Sequence, residues 1–316
     1  MTDQQQMDLR KDEVEAGTQT GLASPSVDVT SGRQNSLWSD AWGELRRNPL
    51  FWIGASLGLV FTLMALFPQL FARGNDPRDC DLANSRQTPS ADHWFGYDQQ
   101  GCDYLANVVY GARSSLIIGV TAVAVVLLLG LVVGAVAGYA GGFTDGVLSR
   151  VADIFYGLPL ILGALVVLRS GILGRGVLAV AIALAAFGWM TAMRLVRSQV
   201  IAVKSSDYVA AARAMGASSP RILLRHILPN AVAPVLVYAT ITIGVLIAAE
   251  ATLTYLGVGL QRPAISWGLQ IDAGQNLLRT APHLVLFPSL TLTLTVMAFI
   301  MMGDALRDAL DPRQRA

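Results

Sequence analysis

Residues of the types that do chemistry are few in this chain, and they are scattered. Lysine occurs only as Lys11 and Lys204, and neither lies in a G-x-x-x-x-G-K-[ST] run. ATP hydrolysis needs such a loop to cradle the phosphates, so the chain reads as no ATPase and, with no other catalytic set, as no enzyme. His93, His226 and His283 are isolated from one another and show none of the spacing that holds a metal. His226 suits a capping or partner contact better than metal binding. No nucleophile and base converge in the sequence. Three acidic side chains lie within or beside apolar runs, where an ionised group is costly and often functional. Glu250 follows an uncharged run over 231–249 and either lines a pathway or pairs with a neighbouring helix. Asp153, near one end of the run over 151–168, suits a structural pairing with Arg150 or a backbone donor. Asp304 begins the polar exit of the final run and reads as a solvated helix end.

The elements around these residues are set by composition. Hydrophobic residues make up 53% of the chain and charged residues 14%, too few charges to cover a water-soluble surface. Apolar runs long enough to span a bilayer, about 20 residues as helix, occur over 48–72, 114–144, 151–168, 176–193, 231–249 and 284–303. Lipid offers no partner to a free backbone group, so the fold class is all-α: an integral membrane protein of six transmembrane helices. A net charge of +1 argues against nucleic acid as a partner. Gly130, Gly134 and Gly138 in the second run permit close helix packing, against either a sister subunit or the chain's own bundle.

Most Lys and Arg fall in the segments that are cytoplasmic if the N-terminus is, among them Arg46, Arg47, Arg150, Arg194, Arg197, Lys204, Arg213, Arg221 and Arg225. By the positive-inside rule both termini are expected in the cytoplasm. Residues 1–36 are polar, without apolar periodicity, and read as a disordered cytoplasmic tail rather than a signal peptide. Over 37–48, Leu37, Trp38, Ala41, Trp42 and Leu45 share one helix face and suit an interfacial helix or one packed on other protein. The transmembrane domain then covers 49–316. Its largest extracytoplasmic loop, 73–107, holds Cys80 and Cys102 on the side where disulfides persist, so the two are expected to be bonded.

Between the fourth and fifth apolar runs lies a cytoplasmic loop, 198–230, containing DYVAAARAMGASSPRILLRHILPN (207–230). Ser205 and Ser206 can cap a helix beginning at Asp207. Tyr208, Ala211, Ala212 and Met215 recur along it at helical spacing, and Gly216 suits its C-terminal turn. Ser219 and Pro220 can open a second helix, which Pro229 would close. Residues 194–225 hold six basic residues against one acid, Asp207. A positive loop resting on anionic lipid would explain the charge. The helix–glycine–helix order is more than such a loop needs and points to a docking surface.

Here the sequence resembles a known family. Ala210, Ala211 and Ala212, followed by Gly216 and then Leu228–Pro229, are similar to the EAA loop of ABC importer permeases, with Ala210 where the motif has Glu. The surrounding stretch resembles the dipeptide/oligopeptide branch and its C-type subunit. So do FGYDQQGCDYLANVVYGARSSLIIG from Phe95, GYAGGFTD (138–145), VADIFYGLP (151–159), TYLGVGLQRPAISWG (254–268) and GDALRDALDPR (303–313). Cys102 stands where that branch usually has Arg, which makes the disulfide local to this chain. The resemblance implies a type I importer permease fold in a bacterial inner membrane. It implies a homologous B-type permease, two ATPase subunits and an extracytoplasmic substrate-binding protein as partners, with membrane lipid around them. Peptides are the implied solute, and related permeases carry nickel or other small solutes. A membrane scaffold or signalling protein docking through the basic elbow is the rival from another class. By the same resemblance the elbow is the coupling helix, with Tyr208, Ala211, Ala212, Arg213, Met215, Gly216 and Pro229 in or beside the ATPase contact.

Overall fold

The computed structural model describes residues 37–310; the expected tail, 1–36, and residues 311–316 lie outside the described residues. Among the described residues every long element is a helix. They are α1 (Leu37–Leu45), α2 (Pro49–Leu66), α3 (Tyr104–Ala140), α4 (Gly142–Tyr156), α5 (Leu160–Ser170), α6 (Val177–Lys204), α7 (Asp207–Ala214), α8 (Ser219–Tyr255), α9 (Trp267–Gly274) and α10 (His283–Leu310).

Five helices, α2, α3, α6, α8 and α10, are long and apolar enough to cross a membrane, and α4 with α5 makes a sixth if that pair is one span. The pair is bent by 82°, so the run read as a single span over 151–168 is two arms. The cause is local: Pro159 has no N–H to donate and drives the residue before it out of helical conformation. α3 starts at Tyr104, well before its apolar run, because Asp103 Oδ1 accepts the Ala106 N–H at 2.8 Å and caps the helix. Pro229, expected to end a short helix, lies inside α8. A π turn over Leu223–Ile227 precedes it, with the Leu228 N–H donating to the Leu223 carbonyl. The wider turn relieves the clash that a proline ring makes with the preceding turn.

Small residues set the closest approaches. α3 and α6 form the most extensive helix pair, and the glycines of α3 face α6. A Cβ at Gly134 would stand 2.5 Å from the Met193 carbonyl oxygen, and one at Gly130 2.5 Å from Ala192 Cβ. The glycine stripe therefore serves the chain's own bundle, where close packing replaces the hydrophobic drive that lipid cannot supply. Trp267 of α9 is fully buried, edge-on to Phe61 of α2 at 6.3 Å, and its Nε1 donates to the Val108 carbonyl of α3 at 2.9 Å. In α1, Ala41 and Leu45 pack on Ala305 and Ala309 of α10, so these two residues of its stripe meet protein.

The segment between α2 and α3 is tied to the α9–α10 end of the bundle. Cys80 and Cys102 are disulfide-bonded, with an S–S distance of 2.04 Å. The Gln99 side-chain amide donates to the Ala273 carbonyl, the Tyr104 hydroxyl donates to the Leu284 carbonyl at 2.5 Å, and Phe95 stacks on Phe287 at 3.9 Å. His93, isolated in sequence, is paired in space: its Nδ1 is 2.7 Å from Asp103 Oδ2 and its Nε2 is 2.7 Å from the Tyr97 hydroxyl. Burial, with the Asp103 charge adding to it, raises the pKa of the Tyr97 hydroxyl.

Candidate functional site

α6 runs into the elbow with only Ser205 and Ser206 between Lys204 and Asp207. Neither serine caps α7 through its side chain, contrary to expectation. The Ser206 hydroxyl instead donates back to the Val203 carbonyl at 2.6 Å, so α7 is held by packing. Val209 and Ala212, three apart and hence on one face, are both buried, and Val209 packs with Val196 and Val200 of α6 and Ile222 and Ile227 of α8. At its far end Gly216 has φ +81°, the left-handed region glycine adopts without strain. The Gly216 N–H donates to the Arg213 carbonyl at 3.0 Å and the Ala217 N–H to the Ala212 carbonyl at 3.1 Å, which together make a Schellman turn. The next helix is preceded by Ser218, one residue earlier than expected, with Pro220 in its first turn.

The expected docking residues are thereby sorted. Tyr208, Ala211, Arg213 and Gly216 are exposed, and Met215, 82% exposed, projects at the tip. Pro229 is exposed on α8. Ala212 is buried and is unavailable to a partner: the stripe of Tyr208, Ala211 and Met215 looks outward, and that of Val209 and Ala212 inward. Among the described residues, Arg213, Arg221 and Arg225 make no ion pair. The outer surface is therefore apolar at its tip and carries unpaired positive charge.

Behind the elbow, α6 is fastened to α3 and α4 by contacts the sequence reading did not assign. Arg197 places Nε and Nη2 on Asp145 Oδ1 and Oδ2 at 2.5 and 2.6 Å. Arg194 Nη2 meets Asp153 Oδ1 at 2.7 Å, and its guanidinium lies 4.2 Å from the Tyr156 ring centroid. Lys204 Nζ donates to the Tyr139 carbonyl at 2.5 Å. Arg150, the expected partner of Asp153, is 4.0 Å away on an 85% exposed side chain, so Arg194 takes that role. The signal was present as Asp145 at the end of GYAGGFTD and basic residues along α6, but nothing in one sequence pairs them.

Glu250 is fully buried. Its Oε2 accepts the Ser115 hydroxyl of α3 at 3.0 Å and its Oε1 the Thr254 hydroxyl at 2.9 Å. Of the two readings open for it, the structure places it in pairing: the carboxyl joins α3 and α8. Among the described residues no group of three or more His, Cys, Asp or Glu side chains could hold a metal ion.

Comparison with known proteins agrees with this architecture. The profile of the binding-protein-dependent transport system inner membrane component matches residues 130–316, and that of the N-terminal TM domain of oligopeptide transport permease C matches residues 36–89. The oligopeptide transport system permease protein OppC of Bacillus subtilis (strain 168) is 39% identical over 285 residues, 90% of this chain and 92% of that protein. The dipeptide transport system permease protein DppC of Alkalihalophilus pseudofirmus is 39% identical, covering 89% of this chain and 91% of its own. The glutathione transport system permease protein GsiD of Shigella dysenteriae is 38% identical, covering 87% and 90%. In fold, the chain is similar to one from the inward-facing MetNI methionine ABC transporter, with a TM-score of 0.54 and 22% identity over 65% of this chain and 96% of that one. Such permeases are multi-pass inner membrane proteins, not enzymes: they act with separate ATPase subunits, which hydrolyse the ATP, and with a substrate-binding protein. The chain belongs to the family of binding-protein-dependent transport system inner membrane components, as a permease subunit of an ABC importer.

Proposed function

We propose that the chain is the C-type permease of a short-peptide importer, forming half of the pathway beside a homologous B-type permease. Two ATPases dock from the cytoplasm, and a peptide-binding protein delivers the solute from the other side. The observation that carries the solute is the agreement of relatives: permeases named for oligopeptides, dipeptides and glutathione, itself a peptide, match about nine-tenths of the chain at 38–39% identity.

In this reading both termini and the elbow are cytoplasmic, and the disulfide-clipped segment before α3 is extracytoplasmic. The elbow seats in an ATPase groove through Tyr208, Ala211, Arg213 and Met215, with Gly216 setting its turn and Pro229 flanking it. ATP and Mg stay with the ATPases. Closure of the ATPase dimer would displace α7 as a rigid body, and α6 and α8 would move with it because Val209 is packed against both. The missing motif carboxylate is no obstacle, since Ala210 is exposed and the contact surface is apolar and basic.

Proteoliposomes carrying the full complex and its binding protein test the solute. ATP-dependent uptake of a labelled dipeptide, uncompeted by nickel, is the expected result. Nickel uptake with no dipeptide uptake would reject the substrate reading.

A further inference from the structure

We propose that the Asp145–Arg197 and Asp153–Arg194 pairs are positioning contacts that carry displacement of the elbow into the bent α4–α5 arm. This rests on the elbow being the ATPase-docking site. α6 is unbroken from Val177 to Lys204, and the elbow begins two residues later, so α6 follows α7 directly. At 3.6 residues per turn, Arg197 and Lys204 lie about 20° apart around α6, and Arg194 about 60° further round. One face of α6 therefore holds three cations against the α3–α4 region.

What else holds α4 is slight. Ala152 is its only fully buried residue, and Leu148 and Phe155 are partly buried against Met190 and Met193 of α6. Its far side is apolar and open, with Phe143 88% and Ile154 71% exposed. Among the described residues, side-chain hydrogen bonds from α4 to other helices are made only by Asp145 and Asp153, and both go to α6. Apolar contact is non-directional and lets one helix slip along another. A two-pronged arginine–carboxylate contact fixes orientation as well as distance. The Asp145–Arg197 side chains are 18% and 34% exposed, whereas those of Asp153 and Arg194 are near half exposed, so the first pair is the stronger. The second sits where leverage is greatest: Arg194 holds both Asp153 and Tyr156, directly before the bend at Gly157–Pro159.

The test reads motion in the full complex. A cysteine introduced as Leu158→Cys lies at the bend on a 50% exposed position, and the two native cysteines are occupied by their disulfide. Its maleimide-labelling rate is measured with and without ATP, alongside ATP hydrolysis. In the parent, ATP should change that rate. In Asp145→Asn and in Arg197→Gln the ATP-dependent change should shrink about tenfold while hydrolysis and ATPase retention persist. The reversed pair Asp145→Arg/Arg197→Asp should restore at least half of it, which a loss of fold would not allow. The inference is overturned by a parent with no ATP response at Leu158→Cys, by single variants whose response stays within twofold of the parent, or by a reversed pair as weak as the singles. Failure of the docking reading itself would appear elsewhere, as Met215 making no contact with an ATPase.

Discussion

The sharpest structural prediction concerns Gly134 of α3, which packs against Met193, Val196 and Arg197 of α6. Replacing it with alanine puts a Cβ 2.5 Å from the Met193 carbonyl oxygen and 2.9 Å from Val196 Cβ, where ordinary contact begins at 3.4 Å. The shortfall is about 0.9 Å against a backbone atom, which cannot rotate aside, so two long helices must separate. Overpacking of this kind costs about 1–3 kcal/mol. Gly146 in α4 is the control: a Cβ there meets nothing within 4 Å, and alanine in an open helical position gains about 0.5–1 kcal/mol. The two substitutions are chemically identical and should differ by about 1.5–4 kcal/mol, with opposite signs. Denaturant unfolding of the purified permease in detergent micelles, followed by circular dichroism, measures the difference. Gly134→Ala as stable as the parent would refute the claim that the stripe is an internal seam, and would return it to an interface with another subunit.

Two further outcomes follow from local geometry. Gly216→Val should strain the elbow by about 1–2 kcal/mol, because its φ lies where a side chain is penalised although a Cβ meets nothing within 4 Å; ATPase subunits should be depleted on co-purification, and full retention would contradict the role given to this turn. Cys102→Ser should loosen the segment before α3 by about 3 kcal/mol on the chain-entropy account, seen as early protease cleavage between residues 77 and 102; cleavage unchanged from the parent would show that its side-chain anchors suffice.

Apolar run lengths made the helical class and most spans legible, because lipid leaves the backbone one local solution. The glycine of the elbow was legible too, since a Schellman turn is a local demand. What the sequence did not reveal depends on long-range partners. Pro159 was visible, but the 82° bend depends on how both arms pack. Pro229 read as a stop because the π turn that accommodates it leaves no residue signature. Ala212 sits beside Ala211 in one motif, and only the burial of Val209 tells which of the two faces inward. Arg194 and Arg197 read as generic positive charge until Asp153 and Asp145, 41 and 52 residues away, were brought against them.

The central claim, that the outer face of the elbow is the surface through which this subunit receives work from an ATPase, is tested most directly by cross-linking in the assembled complex. Single cysteines introduced as Met215→Cys, on the exposed tip, and Ala212→Cys, on the buried face, are treated with a short bifunctional maleimide. The account predicts a cross-link to an ATPase subunit from position 215 that strengthens or weakens with ATP, and none from position 212. No ATPase cross-link from position 215, or equal cross-linking from both positions, would contradict it.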